Sequence, residues 1–184
     1  VHAVRGNFDI TFLCHNNENY GLTKGQASAT TREDVAMNSN PDGVTSTPIH
    51  PQRLALSLGA TFSARIFSGD IAGMNRVFQA AIAHKGFAFV EILQNCPTYN
   101  KHTPHEWYQQ RVYNINETDH DTSNRAAAVA AAEDINEKVA TGILYQDPNS
   151  VPFMMRDAVR KDLGAELIDE VKTYDITPYT SRMR

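Results

Sequence analysis

What the chain lacks narrows its possible functions first. No stretch approaches the roughly eighteen consecutive apolar residues that a membrane-spanning helix requires. The longest apolar run, Gly86–Leu93, is broken by Glu91. Cysteine is nearly absent: Cys14 and Cys96 are too few for a disulfide framework, so a reducing, cytoplasmic compartment is expected. Positive charge is in deficit, with 17 Lys and Arg against 21 Asp and Glu and a formal net charge of −4. Without a basic stripe to neutralise phosphates, nucleic acid is not an expected partner. The amino terminus has no basic region followed by an apolar stretch and a cleavage site, so nothing there suggests secretion. It opens at Val1 rather than Met, and further residues upstream are expected.

What remains is an ordinary globular composition, 41% apolar and 21% charged. A length of 184 residues suits one domain with a hydrophobic core and is short for two. Asp9–Cys14 (DITFLC) is a short β-rich run that fits a buried strand. It leads into polar His15, Asn16 and Asn17, then into a Gly-, Ser- and Thr-rich stretch from Tyr20 to Thr31 with no helical period. Asn38–Pro51, with three prolines, reads as an irregular connection. Arg53–Leu58 fits a helix stopped by Gly59, and Thr61–Phe67 a strand. Ser68, Gly69 and Asp70 form a turn and helix cap. Ile71, Met74, Val77, Phe78, Ala81 and Ile82 then recur at helical spacing as far as Gly86. Phe87–Leu93 is a nearly continuous apolar strand. Strand, helix and strand with short links predict an α/β fold, a parallel sheet with helices on both faces.

Beyond Tyr99 the character changes. Asn124 caps an alanine-rich helix expected to run to about Ala140, followed by a strand, Gly142–Tyr145, and a last helix, Arg156–Val171. The chain thus divides into residues 1–100, the end of an α/β layer domain, and 101–184, an α-rich carboxy-terminal extension.

The chemistry concentrates where the first strand ends. Open parallel sheets bind ligands at the carboxyl ends of their strands. An Asn amide oxygen there is a hard, neutral donor suited to Mg²⁺ and a bound diphosphate. From spacing alone, an Asn turn closed by its own hydrogen bonds is the favoured reading. Cys14 reads as a core residue of the strand, and a single Cys96 cannot hold a metal cluster by itself. His102 and His105, in a Pro-containing loop, read as surface residues.

The longer string changes the balance. His15-Asn16-Asn17-Glu18-Asn19-Tyr20-Gly21-Leu22-Thr23-Lys24-Gly25-Gln26-Ala27-Ser28 resembles the NNxxYGLTKGQxS segment of the thiamine-diphosphate-binding beta subunits of 2-oxoacid:ferredoxin oxidoreductases. Gly59–Arg65 with Phe67–Asp70, and His84–Val90, are similar to two further blocks of that family. These read as builders of helix and strand, with His84 interacting with the last carbonyls of its helix. Glu91-Ile92-Leu93-Gln94-Asn95-Cys96-Pro97-Thr98-Tyr99-Asn100 resembles the family's LQPC-x-T-[FY]-N segment.

The resemblance implies a thiamine-diphosphate-binding fold, amino-terminally incomplete, with specific roles for these residues. Asn17 (side chain) and Asn19 (backbone oxygen) would bind Mg²⁺, completed by an aspartate from a GDG motif upstream. Gly21, Leu22 and Thr23 would lie against the diphosphate and thiazolium, and Lys24 would meet the substrate carboxylate. Cys96 would be one of four thiolate ligands of a [4Fe–4S] cluster, the other three lying upstream. Neither the GDG aspartate nor those cysteines is in this chain, and the family's proline after Ser28 is Ala29 here.

The implied reaction is oxidative decarboxylation of a 2-oxoacid, 2-oxoglutarate by preference, to an acyl-CoA and CO₂ with ferredoxin as acceptor. The expected partners are the alpha subunit, ferredoxin, coenzyme A and the 2-oxoacid. The rival readings are a pyruvate-specific enzyme of the same kind, a non-oxidative thiamine-diphosphate lyase or synthase, and a non-catalytic subunit-contact fragment.

Overall fold

A computed structural model describes residues 1–156 and 177–183. The elements in chain order are α1 (His2–Gly6), β1 (Ile10–Asn16), β2 (Asn19–Tyr20), β3 (Gln26–Ala27), α2 (Pro51–Ser57), β4 (Phe62–Phe67), α3 (Ile71–Ala83) and β5 (Phe87–Leu93). They continue with α4 (His105–Gln109), β6 (Val112–Asn114), a 3₁₀ turn (Ile115–Glu117), α5 (Arg125–Glu133), β7 (Val139–Gln146), α6 (Phe153–Arg156) and α7 (Thr177–Thr180). Val1–Phe153 form one compact unit, and a second begins at Met154. The helix expected over Arg156–Val171 lies, apart from Arg156, outside the described residues. Among those residues no helix is long and apolar enough to cross a membrane.

The main sheet has five strands in the order β1-β5-β4-β7-β6. β1, β5 and β4 run parallel, as the strand–helix–strand pattern predicts. Period-two alternation sends Phe62, Ala64 and Ile66 of β4 and Ala88, Val90 and Ile92 of β5 against Val77 and Ala81 of α3. The opposite face carries Phe87 and Phe89 against Ala55 of α2. On β7, Ala140 and Leu144 pack with Ala128 and Ala132 of α5. Helices therefore cover both faces, which is why β4 and β5 are buried along their whole length. The Asp70 carboxylate caps α3 by accepting from Gly73 N–H at 2.8 Å, and Pro51 opens α2.

The structure corrects the expectations at four points. β7 is longer than Gly142–Tyr145 and pairs antiparallel with β4. Helix α5 stops at Glu133 rather than near Ala140. The Asp134 carboxylate collects the N–H groups of Asn136, Glu137 and Lys138 at 2.8–3.0 Å and turns the chain into β7. Among the described residues β1 lies at the edge of the sheet, and Ile10, Phe12 and Leu13 are exposed where a buried strand was expected. His84 ends α3 with its backbone N–H on the Ala80 carbonyl at 3.0 Å, as expected, but its buried ring turns to the Thr61 hydroxyl at 2.9 Å and the Phe62 ring. Burial holds its pKa below the ordinary value, against the opposing charges of Asp9 and Asp147.

Candidate functional site

The site forms at the carboxyl ends of β1 and β5, where the chain leaves the sheet through two loops. The two asparagines that end β1 have different tasks. Asn16 is buried: its Nδ2 donates to Glu91 Oε1 at 2.8 Å, and its Oδ1 accepts from Thr30 Oγ1 at 2.7 Å and from Glu18 N–H at 3.2 Å. All its hydrogen-bonding capacity faces the protein except one N–H. Asn17 is half-buried, and its Oδ1 accepts only the N–H of Asn19 at 3.2 Å. An amide oxygen has two lone pairs, so one on Asn17 Oδ1 is left over from this bond.

Glu18, the next residue, has φ 59, a left-handed conformation uncommon outside glycine. Arg32 secures it there, with Nη2 and Nε at 3.0–3.2 Å from the Glu18 carboxylate. The same guanidinium stacks on Trp107 at 4.5 Å and donates to the Ile135 carbonyl at 3.0 Å. Asn19 is also buried. Its amide oxygen accepts from Gly21 N–H at 3.1 Å and its amide nitrogen donates to the Asn17 carbonyl at 2.9 Å. The short ribbon β2–β3 then carries Gly21 to Gly25 outward. Leu22 is 99% exposed, Thr23 and Lys24 are exposed, and Lys24 has φ 78. The structure thus gathers Asn17, Asn19 and Gly21 near the sheet and projects Leu22, Thr23 and Lys24 from the tip.

Cys96 lies in the second loop, after β5. It is 8% exposed. Burial raises its pKa, but the N–H groups of Asn100, Tyr99 and Thr98 point at the sulfur, and the net effect is a thiol below its ordinary value. Converging N–H donors stabilise a thiolate, the form in which sulfur ligates iron. The donor set thus fits a cluster ligand. Cys14 differs: it sits half-buried on β1 against the apolar cluster of α2, and burial, then the Glu91 charge, pushes its thiol up.

The two loops are docked on each other. Asn100 Nδ2 donates to the Asn17 carbonyl at 3.2 Å, and its Oδ1 accepts from the N–H groups of His102 and Thr103. Gly25, at φ 88, passes so close to Tyr99 that a Cβ there would lie 2.6 Å from the ring. Beneath both loops Arg65 Nε donates to Glu91 Oε2 at 2.9 Å, in register across β4 and β5. Sequence reading missed Glu18, Arg32, Arg65, Glu91 and Asn100. The signal available was a charge inside each of two all-apolar parallel strands, which burial permits only to paired groups.

Two family descriptions match the chain: the C-terminal TPP-binding domain of thiamine pyrophosphate enzymes over residues 1–92, and the C-terminal part of the pyruvate ferredoxin oxidoreductase beta subunit over 96–162. The 2-oxoacid:ferredoxin oxidoreductase subunit beta of Saccharolobus solfataricus is 32% identical over 192 residues, covering 99% of this chain and 62% of that protein. The 2-oxoglutarate oxidoreductase subunit KorB of Mycobacterium tuberculosis is 45% identical over 100 residues, covering 54% of this chain and 27% of that one. The solved 2-oxoglutarate:ferredoxin oxidoreductase from Magnetococcus marinus, with 2-oxoglutarate, coenzyme A and succinyl-CoA bound, superposes at a TM-score of 0.83 with 33% identity. That match covers 100% of this chain and 61% of the solved one. The chain therefore spans about three-fifths of the length of these longer-matching relatives. Sequence and fold agree, and the chain belongs to the family of 2-oxoacid:ferredoxin oxidoreductase beta subunits.

Proposed function

We propose that the full-length protein is the beta subunit of an enzyme that oxidatively decarboxylates 2-oxoglutarate to its acyl-CoA and CO₂, with ferredoxin as electron acceptor. The observation that carries this reading is the docking of the Cys96 loop on the Asn17–Gly25 loop through Asn100 and Tyr99. It joins a hard-oxygen donor set to a thiolate nest, the pairing that a decarboxylation coupled to one-electron transfer requires. A non-oxidative lyase has no use for the second half.

In this reading Asn17 Oδ1 and the Asn19 carbonyl hold Mg²⁺, and Gly21, Leu22 and Thr23 lie along the diphosphate and thiazolium. Lys24 meets the substrate carboxylate, and Cys96 is one ligand of a [4Fe–4S] cluster. Bound thiamine diphosphate supplies the electron sink for loss of CO₂. The protein's part is to hold that cofactor and the cluster close together and to orient the oxoacid. Leu22 and Tyr20, exposed at the ribbon tip, mark where an alpha subunit would close the pocket.

The relatives' names support 2-oxoglutarate, although one matching family description carries pyruvate. Turnover of the two acids by the assembled complex tests the choice. A higher kcat/KM for 2-oxoglutarate is expected, and a preference for pyruvate would overturn it.

A further inference from the structure

Beneath the Asn17 loop lies a cavity of about 20 Å³, lined by Asn16, Glu18, Thr30, Arg32, Arg65, Glu91 and Tyr108 among others. Two of its lining groups are buried and lack a hydrogen-bond partner: Arg65 Nη1 and the Tyr108 hydroxyl, each on a side chain 1% exposed. Orphaned buried polar atoms are destabilising in the absence of a partner, so two of them on residues that line one small cavity mark a binding site. The cavity clears the roughly 10–15 Å³ that one water needs, and it is too small for an organic ligand.

The charge around it decides between water and an ion. Glu18 and Glu91 contribute two negative charges, and Arg32 and Arg65 two positive ones, already paired at 3.0 and 2.9 Å. The two ion pairs cancel in charge, so together they supply no net charge to hold a monatomic ion beside the imidazole of His50, which also lines the cavity, whereas a water can accept from Arg65 Nη1–H and exchange a hydrogen bond with the Tyr108 hydroxyl. The Thr103 hydroxyl lies near the Tyr108 oxygen, but it accepts from Asn100 Nδ2 at 2.9 Å and makes no aligned hydrogen bond to the tyrosine.

We propose that a single buried water fills this cavity, bridging Arg65 and Tyr108, and that these two are positioning residues for the metal-binding loop. The inference rests, for its functional half, on the cofactor reading above. Arg65 holds Glu91, Glu91 holds Asn16, and Asn16 Oδ1 holds the N–H of Glu18. Asn17 stands between the last two. The water locks the guanidinium at the root of that chain, and Tyr108 brings α4 into the same lock.

The test is a high-resolution structure of the assembled full-length protein, with the Tyr108→Phe variant beside it. Expected in the wild type is water density within hydrogen-bond reach of both groups. A dry cavity, or one holding an ion, would overturn the proposal. In Tyr108→Phe, which removes one oxygen, the Mg²⁺ concentration for half-saturation should rise on the order of threefold to tenfold, with kcat at saturating Mg²⁺ retained. An unchanged Mg²⁺ requirement would overturn the positioning role, since a purely structural tyrosine would lower stability without moving it. Should the wild type bind no thiamine diphosphate, the cofactor reading fails, while the density still decides for or against the water.

Discussion

Glu91 accepts from Arg65 with one carboxylate oxygen, at 2.9 Å, and from Asn16 with the other, at 2.8 Å. Both members of the ion pair are buried in the middle of a sheet that is otherwise apolar at that level. Such a pair adds little to stability compared with an apolar pair of the same volume, because desolvation offsets the attraction. Breaking it from one side is another matter. Glu91→Ala strands a buried guanidinium and is expected to lower unfolding stability by about 3–5 kcal/mol in urea titrations. The double variant Arg65→Met, Glu91→Leu should recover most of that loss. It should still bind Mg²⁺ more weakly, because Asn16 loses its acceptor.

The two asparagines of the NN pair should separate cleanly. Asn16→Ala leaves Glu91 Oε1 without its donor and is expected to cost about 1–3 kcal/mol of stability. Asn17→Ala removes one Asx hydrogen bond in a half-buried turn and should cost about 1 kcal/mol or less. It should nevertheless weaken Mg²⁺ binding in the assembled protein by at least about tenfold, measured by calorimetry with thiamine diphosphate present. Wild-type metal affinity in Asn17→Ala would sink the assignment.

How much of this was legible in the sequence depends on range. The strand–helix–strand unit from Thr61 to Leu93 is written in local periodicity and in the Asp70 cap, and it folds as read. The NN string and the Cys96 segment pointed to their loops through family likeness. Their docking was not legible, because it depends on Asn100 and Tyr99 meeting residues about 75 to 85 positions earlier, as with the 3.2 Å bond to the Asn17 carbonyl. The antiparallel return of β7 was hidden by the alanine run, whose helical propensity extends past the point where Asp134 turns the backbone. Exposure of Phe12 was hidden for another reason: an apolar strand looks the same at the edge of a sheet as in its centre.

Gly25 is where the two loops come closest. Gly25→Ala would strain a backbone at φ 88 and drive a methyl group into Tyr99. A cost of about 1–3 kcal/mol is expected, with weaker protection of the Asn17 and Asn100 amides in hydrogen exchange. The companion variant Gly25→Ala, Tyr99→Ala removes the clash and should restore part of the stability, leaving only the backbone strain.

His84 predicts an acid limb. Burial keeps its folded pKa below the ordinary 6.5, so at acid pH the unfolded chain binds a proton that the folded chain refuses. The stability it contributes is fully present above pH 6.5 and is lost as pH falls from there through the folded value. The urea midpoint of the wild type should fall over that window, and His84→Gln, which can still bond Thr61, should flatten the fall. An unaltered pH profile would show that the loss arises elsewhere.

Cys96 titrates in the opposite range. Well below both values, the folded and unfolded chains alike hold its proton, and it then contributes nothing. As pH rises past the folded value, the folded thiol ionises first, under the N–H groups of Thr98, Tyr99 and Asn100, while the unfolded thiol waits for about 9. Stability should therefore grow through that window, stay above it, and be lost again as pH falls through the folded value. Cys14 opposes this, since its raised thiol lowers stability as pH rises, so the comparison belongs in a Cys14→Ala background. There, Cys96→Ser should abolish the alkaline gain in the urea midpoint. In the assembled full-length protein the same substitution should remove cluster iron and sulfide from the beta subunit. Retention of both would mean that the thiolate nest serves some other ligand.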